Sequence, residues 1–271
     1  MNTGISIPDI IARADALTGA GEDAQAEALL QSALAQYARE QPDNAVGQSV
    51  LLGELGGFYR ARGRYAEGEA AYLRAKALLE QPRTCVRTAD GPDASSGCSA
   101  CSPRDIPFRR ETEDGAQRHV EIVLDNESLT ENYATTLNNL AGLYRLSGQL
   151  QKAADTFDEA IRVYERCPGT VSPESLASVY SNKGLVYLDA REPARAVPLF
   201  LKAKEILERG GNHALALGTT VSNLGFAALL ERRLPDAAAR FREAKALFEV
   251  AGSADMARSC ADLLSQLGAG E

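Results

Sequence analysis

The sequence predicts an all-α protein that consists of about five consecutive helix pairs and a C-terminal capping helix, interrupted by one loop-rich insert. Two observations support this fold class. Five windows of the chain share one pattern of small and large residues, and they start at residues 7, 49, 134, 177 and 218. A short polar turn lies in the middle of each window. A unit of this length that recurs along a chain is typical of helical repeat proteins.

Two positions of the window predict how its helices pack. Position 8 is always small, and position 24 is always large. The small residues are Ala14, Gly56, Ala141, Gly184 and Gly225, and the large residues are Leu30, Tyr72, Phe157, Phe200 and Phe241. Because a small residue lets two helix backbones approach and a bulky side chain fills the space beside it, we expect two antiparallel helices in each window.

Position 15 of the window predicts the turn between the two helices. It is occupied by Gly21, Gly63 and Gly148 in three windows. Glycine adopts the left-handed conformation that ends many helices at little cost. Arg191 stands at this position in the fourth window, and we therefore expect a different turn there.

Other local signals predict where helices begin and how the stack ends. Ser128–Glu131 has the pattern of a capping box just before the third window. Ser172 and Pro173 are suited to the N-cap and first position of the next helix pair. Residues 253–268 form an amphipathic pattern, which we interpret as a capping helix with Cys260 in its core.

The recurring positions resemble the tetratricopeptide repeat family over residues 7–81 and 134–250. The usual period of that family is about 34 residues. Apart from the step across the insert, the windows here are spaced by 41 to 43 residues, which is similar to the longer repeats of kinesin light chain and related bacterial proteins. The resemblance implies a right-handed superhelix in which the first helix of each pair lines a concave groove.

The pattern divides the chain into residues 1–81 with two repeats, an insert at 82–127, and residues 128–271 with three repeats and the cap. The insert is rich in Pro, Gly, Ser and Asp, which is typical of loops. Residues 119–125 alternate like a short strand, although they could also begin a helix.

The insert also contains the only candidate metal ligands. Cys98 and Cys101 are separated by two residues, and Cys85 and His119 lie on either side of them. Thiolates at this spacing can share one tetrahedral metal ion, so a zinc site with three cysteines and one histidine is one interpretation. A reversible disulfide and free thiols are the alternatives. We expect no other cofactor.

The predicted groove carries the candidate binding residues. Position 6 of three consecutive windows is asparagine, namely Asn139, Asn182 and Asn223. An amide both donates and accepts hydrogen bonds, and the resemblance implies that such asparagines hold the backbone of an extended peptide; hydrogen bonding between repeats is the alternative. The full candidate set is Asn138, Asn139, Asn182, Asn223, Arg145, Ser181, Leu185, Ser222 and Phe226.

Composition excludes several function classes. The net charge of −8 disfavours a phosphate backbone as partner. We expect no membrane span and no signal peptide, and therefore a cytoplasmic location. Only two histidines are present, and no motif of a nucleophile or an acid–base pair occurs, so we expect no enzyme.

The sequence therefore predicts a noncatalytic adaptor or scaffold that binds an extended peptide segment of another protein. Self-association through the apolar groove residues is a further expectation. The alternative is a regulatory sensor whose cysteine insert binds zinc or responds to oxidation.

Overall fold

The computed structural model describes residues 6–80, 108–114, 117–123, 127–166, 172–211 and 213–268. Eleven helices and one β-hairpin lie in these ranges. The helices are α1 (Ile7–Gly19), α2 (Asp23–Glu40), α3 (Ala45–Ala61), α4 (Tyr65–Glu80), α5 (Glu127–Leu146), α6 (Leu150–Arg166), α7 (Pro173–Asp189), α8 (Pro193–Gly210), α9 (Ala214–Leu230), α10 (Leu234–Val250) and α11 (Ala254–Gln266). The predicted all-α repeat fold, with five consecutive helix pairs and a cap, is confirmed.

The chain forms two compact units, Met1–Leu143 and Tyr144–Glu271. The division falls within α5 rather than at the insert. In the first unit, α1 pairs with α2 and α3 with α4. In the second unit, α7 pairs with α8, α9 pairs with α10, and α11 covers α10. None of the helices in the described part of the chain is both long and apolar enough to cross a membrane.

Close contacts between small and large residues hold each pair together. Phe200 and Phe241 are fully buried in the second unit. A Cβ atom added to Gly184 would lie 2.5 Å from the Phe200 ring, and one added to Gly225 would lie 2.7 Å from the Phe241 ring. These distances are shorter than van der Waals contact, so the two glycines let the aromatic rings pack directly on the backbone of the first helix.

The inter-helix turns are more uniform than the sequence suggested. Gly21, Gly63 and Gly148 have φ angles of 77°, 71° and 78°, as expected. Arg191 and Arg232 occupy the same position in the next two pairs, and their φ angles of 62° and 59° are also left-handed. The expectation of a different turn at Arg191 was wrong, because the packing of the two helices requires the same reversal whatever residue stands there.

Replacement of either arginine by glycine is expected to stabilise the protein by roughly 0.5–1 kcal/mol. A left-handed residue with a Cβ atom costs about 1–2 kcal/mol, and the greater freedom of glycine in the unfolded chain offsets part of the gain. The measurement is denaturant unfolding of Arg191→Gly and Arg232→Gly. Ala190→Gly is the matched control. Ala190 has a right-handed φ of −74°, so its replacement by glycine should lower the stability of the protein. A loss in Arg191→Gly equal to that in the control would contradict the prediction.

Two predicted helix starts had different outcomes. The Ser172 hydroxyl accepts a hydrogen bond from the Ser175 backbone N–H at 3.1 Å, and Pro173 begins α7, as expected. However, α5 begins at Glu127, so Ser128 lies inside its first turn. The capping-box prediction was wrong, because an N-cap residue must lie before the helix with non-helical backbone angles.

The insert contains an antiparallel hairpin. Strand β1 (Phe108–Asp114) pairs with β2 (Gln117–Val123), and Phe108 stands opposite Val123. Residues 119–125 were interpreted as a short strand or as the start of a helix. The strand is correct for residues 119–123, which lie in β2.

Candidate functional site

The face formed by α7 and α9 carries most of the predicted binding residues. These are the first helices of two consecutive pairs, and they pack against each other in the second unit. Between them the hydroxyl groups of Ser181 and Thr220 form a buried hydrogen bond of 3.2 Å. This bond fixes the register in which the two helices present their side chains.

Ser222 of α9 is equivalent to Ser181, and its hydroxyl lies near Cys260 of α11. Burial raises the pKa of the Cys260 thiol, and the Ser222 hydroxyl opposes this shift. Cys260 is therefore a protonated core residue, as predicted. Peptide binding by Ser181 and Ser222 stays a prediction, and the Ser181 hydroxyl is already bonded to Thr220 of α9.

The two asparagines of this unit differ in their surroundings. Asn182 is half-buried, and its Nδ2 lies 3.5 Å from the Ser178 hydroxyl. Asn223 is only 9% exposed, and within the described ranges its side chain has no hydrogen-bond partner. Its amide atoms are not among the sealed polar atoms of the described residues, so they reach the surface of the protein. Asn223 thus retains both a donor and an acceptor for a ligand.

An open depression of about 440 Å³, with both polar and apolar lining, lies at the C-terminal ends of these two helices. Its lining consists of Leu188, Asp189, Arg191, Phe226, Leu229 and Leu230. Phe226 follows Asn223 by one helical turn and is 40% exposed, which is unusual for a large aromatic side chain. Its ring stands edge-on to the Phe241 ring, with the ring centroids 5.2 Å apart. Phe226 is therefore held firmly while part of its surface stays accessible.

The other predicted apolar residue, Leu185, lies one turn before Leu188 on α7. It is half-buried and packs into the cluster that contains Leu188 and Phe200. Leu185 therefore supports the wall of the depression, and it is not among the residues that line it.

Two arginines near the rim differ in their pairing. Arg145, predicted to meet a ligand, has its Nη1 3.0 Å from Asp189 Oδ2, and its contact with a ligand stays a prediction. Arg191 lines the depression and is exposed, and no ion pair to it occurs among the described residues. The sequence analysis missed this residue as a site candidate, although an arginine at a position that is glycine in other windows was a usable signal.

Asn138 and Asn139 lie on the part of α5 that belongs to the first unit, and both are half-buried. The predicted row of three asparagines is thus divided between the two units. Only Asn182 and Asn223 lie on neighbouring helices of one compact body.

The candidate metal ligands cannot be assembled from the described residues. Cys85, Cys98 and Cys101 lie outside them, whereas His119 belongs to β2 and stands opposite Thr112. Within the ranges that the structure describes, no three His, Cys, Asp or Glu side chains are grouped so that they could hold a metal ion.

The histidine before α9 has a packing role. His213 precedes the first residue of this helix, and its Nδ1 lies 2.5 Å from Glu174 Oε1 at the start of α7. The contact joins the N-terminal ends of the two helices, at the end opposite to the depression. It contributes to the alignment of α7 with α9.

Comparison with known proteins identifies the repeat. The sequence model described as tetratricopeptide repeat matches residues 134–167, which cover α6 and the second half of α5. No curated protein sequence matches the chain.

Several solved structures share the fold. The apo form of RapI has a TM-score of 0.65 at 12% identity, and the match covers 95% of this chain and 58% of that chain. A putative kinesin light chain with nearly identical TPR-like repeats from Podosopora anserina has a TM-score of 0.60 at 14% identity, over 91% and 96% of the two chains. BtubC (BKLC) from P. vanneervenii has a TM-score of 0.55 at 15% identity, over 98% and 92%. At these identities the likeness concerns the fold alone.

Proposed function

For a chain that carries a tetratricopeptide repeat and folds into helix pairs of that kind, we propose a noncatalytic scaffold function in which the α7–α9 face binds an extended segment of another protein. The observation that carries this proposal is Asn223. Its side chain lacks a partner among the described residues, its amide reaches the surface, and it lies one turn before the exposed Phe226.

The geometry favours an extended ligand. Packed helices lie about 8–10 Å apart, which is about the length of three residues of extended chain. Asn182 and Asn223 occupy equivalent positions on two packed helices. Each amide can therefore meet a backbone peptide group of the same bound segment, one helix spacing apart. This mode of binding is independent of the ligand's side chains.

The depression supplies side-chain preference. Phe226, Leu188, Leu229 and Leu230 offer apolar surface to one side chain of the segment. The free guanidinium group of Arg191 at the rim favours a ligand without a positive charge next to that side chain. We expect an apolar anchor residue in the depression, with flanking backbone held by the asparagines.

The ligand segment can be identified by site-specific cross-linking. A photoreactive phenylalanine analogue at position 226 of the full chain captures the bound segment in cells, and mass spectrometry identifies its sequence. A synthetic peptide with that sequence is then titrated against the purified protein. If the captured segment belongs to a second copy of this chain, the function is self-association, which light scattering at two concentrations detects.

Substitutions on the α7–α9 face are expected to weaken the binding of this peptide. Asn223→Ala and Phe226→Ala should each raise the dissociation constant by about tenfold or more, because each removes a contact at the centre of the face. Fluorescence anisotropy measures the change. Gln266→Ala and Leu201→Ala are matched controls, since both side chains are exposed elsewhere in the same unit. Unchanged affinity in both test variants, with intact helicity, excludes this face as the binding site.

A further inference from the structure

The β-hairpin of the first unit has two open edges. Strands β1 and β2 pair along their whole length, from Phe108 opposite Val123 to Asp114 opposite Gln117. No third strand joins this sheet in the part of the chain that the structure describes. A two-stranded sheet is only marginally stable in water, and the unpaired N–H and C=O groups along its edges can pair with a strand of another chain. The hairpin is therefore a candidate interaction surface.

The ladder shows which backbone groups face outward. Only two residues separate the strands, so the pair next to the turn, Asp114 and Gln117, is joined by hydrogen bonds. From there, hydrogen-bonded and non-hydrogen-bonded pairs alternate along an antiparallel ladder. Glu111 and Val120 form the fourth pair from the turn, which is a non-hydrogen-bonded pair. The backbone N–H of Glu111 therefore points outward at the edge of β1, and that of Val120 points outward at the edge of β2.

The two edges differ in how well they suit pairing with another strand. Five of the seven residues of β1 are charged, namely Arg109, Arg110, Glu111, Glu113 and Asp114. Charged residues on an edge strand commonly protect it against pairing. Two of the seven residues of β2 are Lys, Arg, Asp or Glu, and three are the β-branched residues Val120, Ile122 and Val123, a type that favours strands. The edge of β2 is thus the less protected one.

Strand β2 is also complementary to a second copy of itself. In an antiparallel pair centred on Val120, all seven positions of β2 have a partner. His119 then stands opposite the partner subunit's Glu121, and no two like charges are opposed. The same arrangement of β1 would place Glu111 opposite the partner subunit's Glu111, and like charges directly opposite each other are destabilising.

We propose that the β2 edge, defined as residues 117–123, pairs with the β2 edge of a second copy of this chain. The backbone N–H groups of Arg118, Val120 and Ile122 then donate to the partner strand, and the two hairpins form one four-stranded antiparallel sheet. A two-fold axis passes beside Val120, so the assembly closes as a dimer and leaves the charged β1 strands at its outer edges. This proposal concerns the hairpin and is independent of the α7–α9 face.

Two proline variants test the proposal, because proline removes one backbone N–H. Val120→Pro removes an outward donor of β2, and Glu111→Pro removes an outward donor of β1 at the same position of the ladder. Neither change removes a hydrogen bond within the hairpin, so each variant is the matched control of the other. Sedimentation equilibrium of the full chain measures the dissociation constant of the dimer. We expect Val120→Pro to raise it by about thirtyfold or more, since two symmetry-related hydrogen bonds are lost, and Glu111→Pro to raise it by less than about twofold.

Hydrogen exchange of the unmodified chain gives a measurement that does not depend on how the variants fold. Exchange at the N–H groups of Arg118, Val120 and Ile122 should slow as the protein concentration rises, whereas exchange at Glu111 should stay constant. An unmodified chain that stays monomeric at about 100 µM overturns the proposal, since a dimer of micromolar affinity is formed at that concentration. Equal weakening by the two proline variants would mean open-ended pairing of β1 with β2, and it overturns the proposal too. A dimer that Phe226→Ala dissociates and Val120→Pro does not would form through the α7–α9 face instead.

Discussion

Replacement of Phe200 by alanine is expected to lower the free energy of unfolding of the second unit by about 3–5 kcal/mol. The side chain is fully buried, and its ring packs on the Gly184 backbone between α7 and α8. No side chain at Gly184 can move in to fill the cavity, so the lost contacts are not recovered. Thermal and denaturant unfolding measure the effect. Leu201→Ala is the control, because its neighbouring side chain is 48% exposed and its loss should cost little.

A double variant at Gly184 and Phe200 tests the contact between these two residues directly. Gly184→Ala alone places a methyl group 2.5 Å from the Phe200 ring, and such overpacking costs about 1–3 kcal/mol. Combination with Phe200→Leu should cost less than the sum of the two single changes, because the smaller side chain relieves the clash. Strict additivity would mean that the two residues do not pack together as described.

Replacement of Asp158 by alanine is expected to have the second largest effect. It should lower the free energy of unfolding of the second unit by about 2–3 kcal/mol. Lys183 of α7 forms an ion pair with Asp158 of α6, and the lysine side chain is 11% exposed while the aspartate is 44% exposed. Asp158→Ala leaves an ammonium group almost buried without its partner. The exposure of the aspartate keeps the loss below the roughly 3–5 kcal/mol seen for fully buried pairs.

Replacement of the lysine should have a much smaller effect. Lys183→Met keeps most of the buried volume and leaves the charge only on Asp158, which water can solvate, so it should be close to neutral. In the Lys183→Met background, Asp158→Ala should then cost little. Urea unfolding of the two single variants and the double variant measures this cycle. Equal losses for the two single changes would contradict the account of a buried cation.

Local patterns in the sequence were sufficient to predict the helix pairs. The spacing of small and large residues predicted that Phe200 and Phe241 are core residues, and both are fully buried. This prediction is feasible because a helix pair is stabilised by contacts between positions at fixed spacing in the chain. The N-cap at Ser172 was equally accessible, since a cap depends on residues three positions apart.

Features that depend on neighbouring helices were predicted less well. Ser181 stands at a groove position by periodicity, yet its hydroxyl bonds to Thr220 of α9. Arg145 has the charge expected of a ligand contact, but it pairs with Asp189, 44 residues away. The partner of a long polar side chain depends on which helix lies beside it, and one window does not contain that information.

The sequence by itself determined the repeat, the small and large positions of each helix pair and the presence of a capping helix. Only the tertiary structure decided that Asn223 is nearly buried without a partner among the described residues and that Arg191 borders the depression beside Phe226. The reason is that core packing follows from short-range periodicity, whereas the solvation of a polar group depends on atoms contributed by residues far away in the chain.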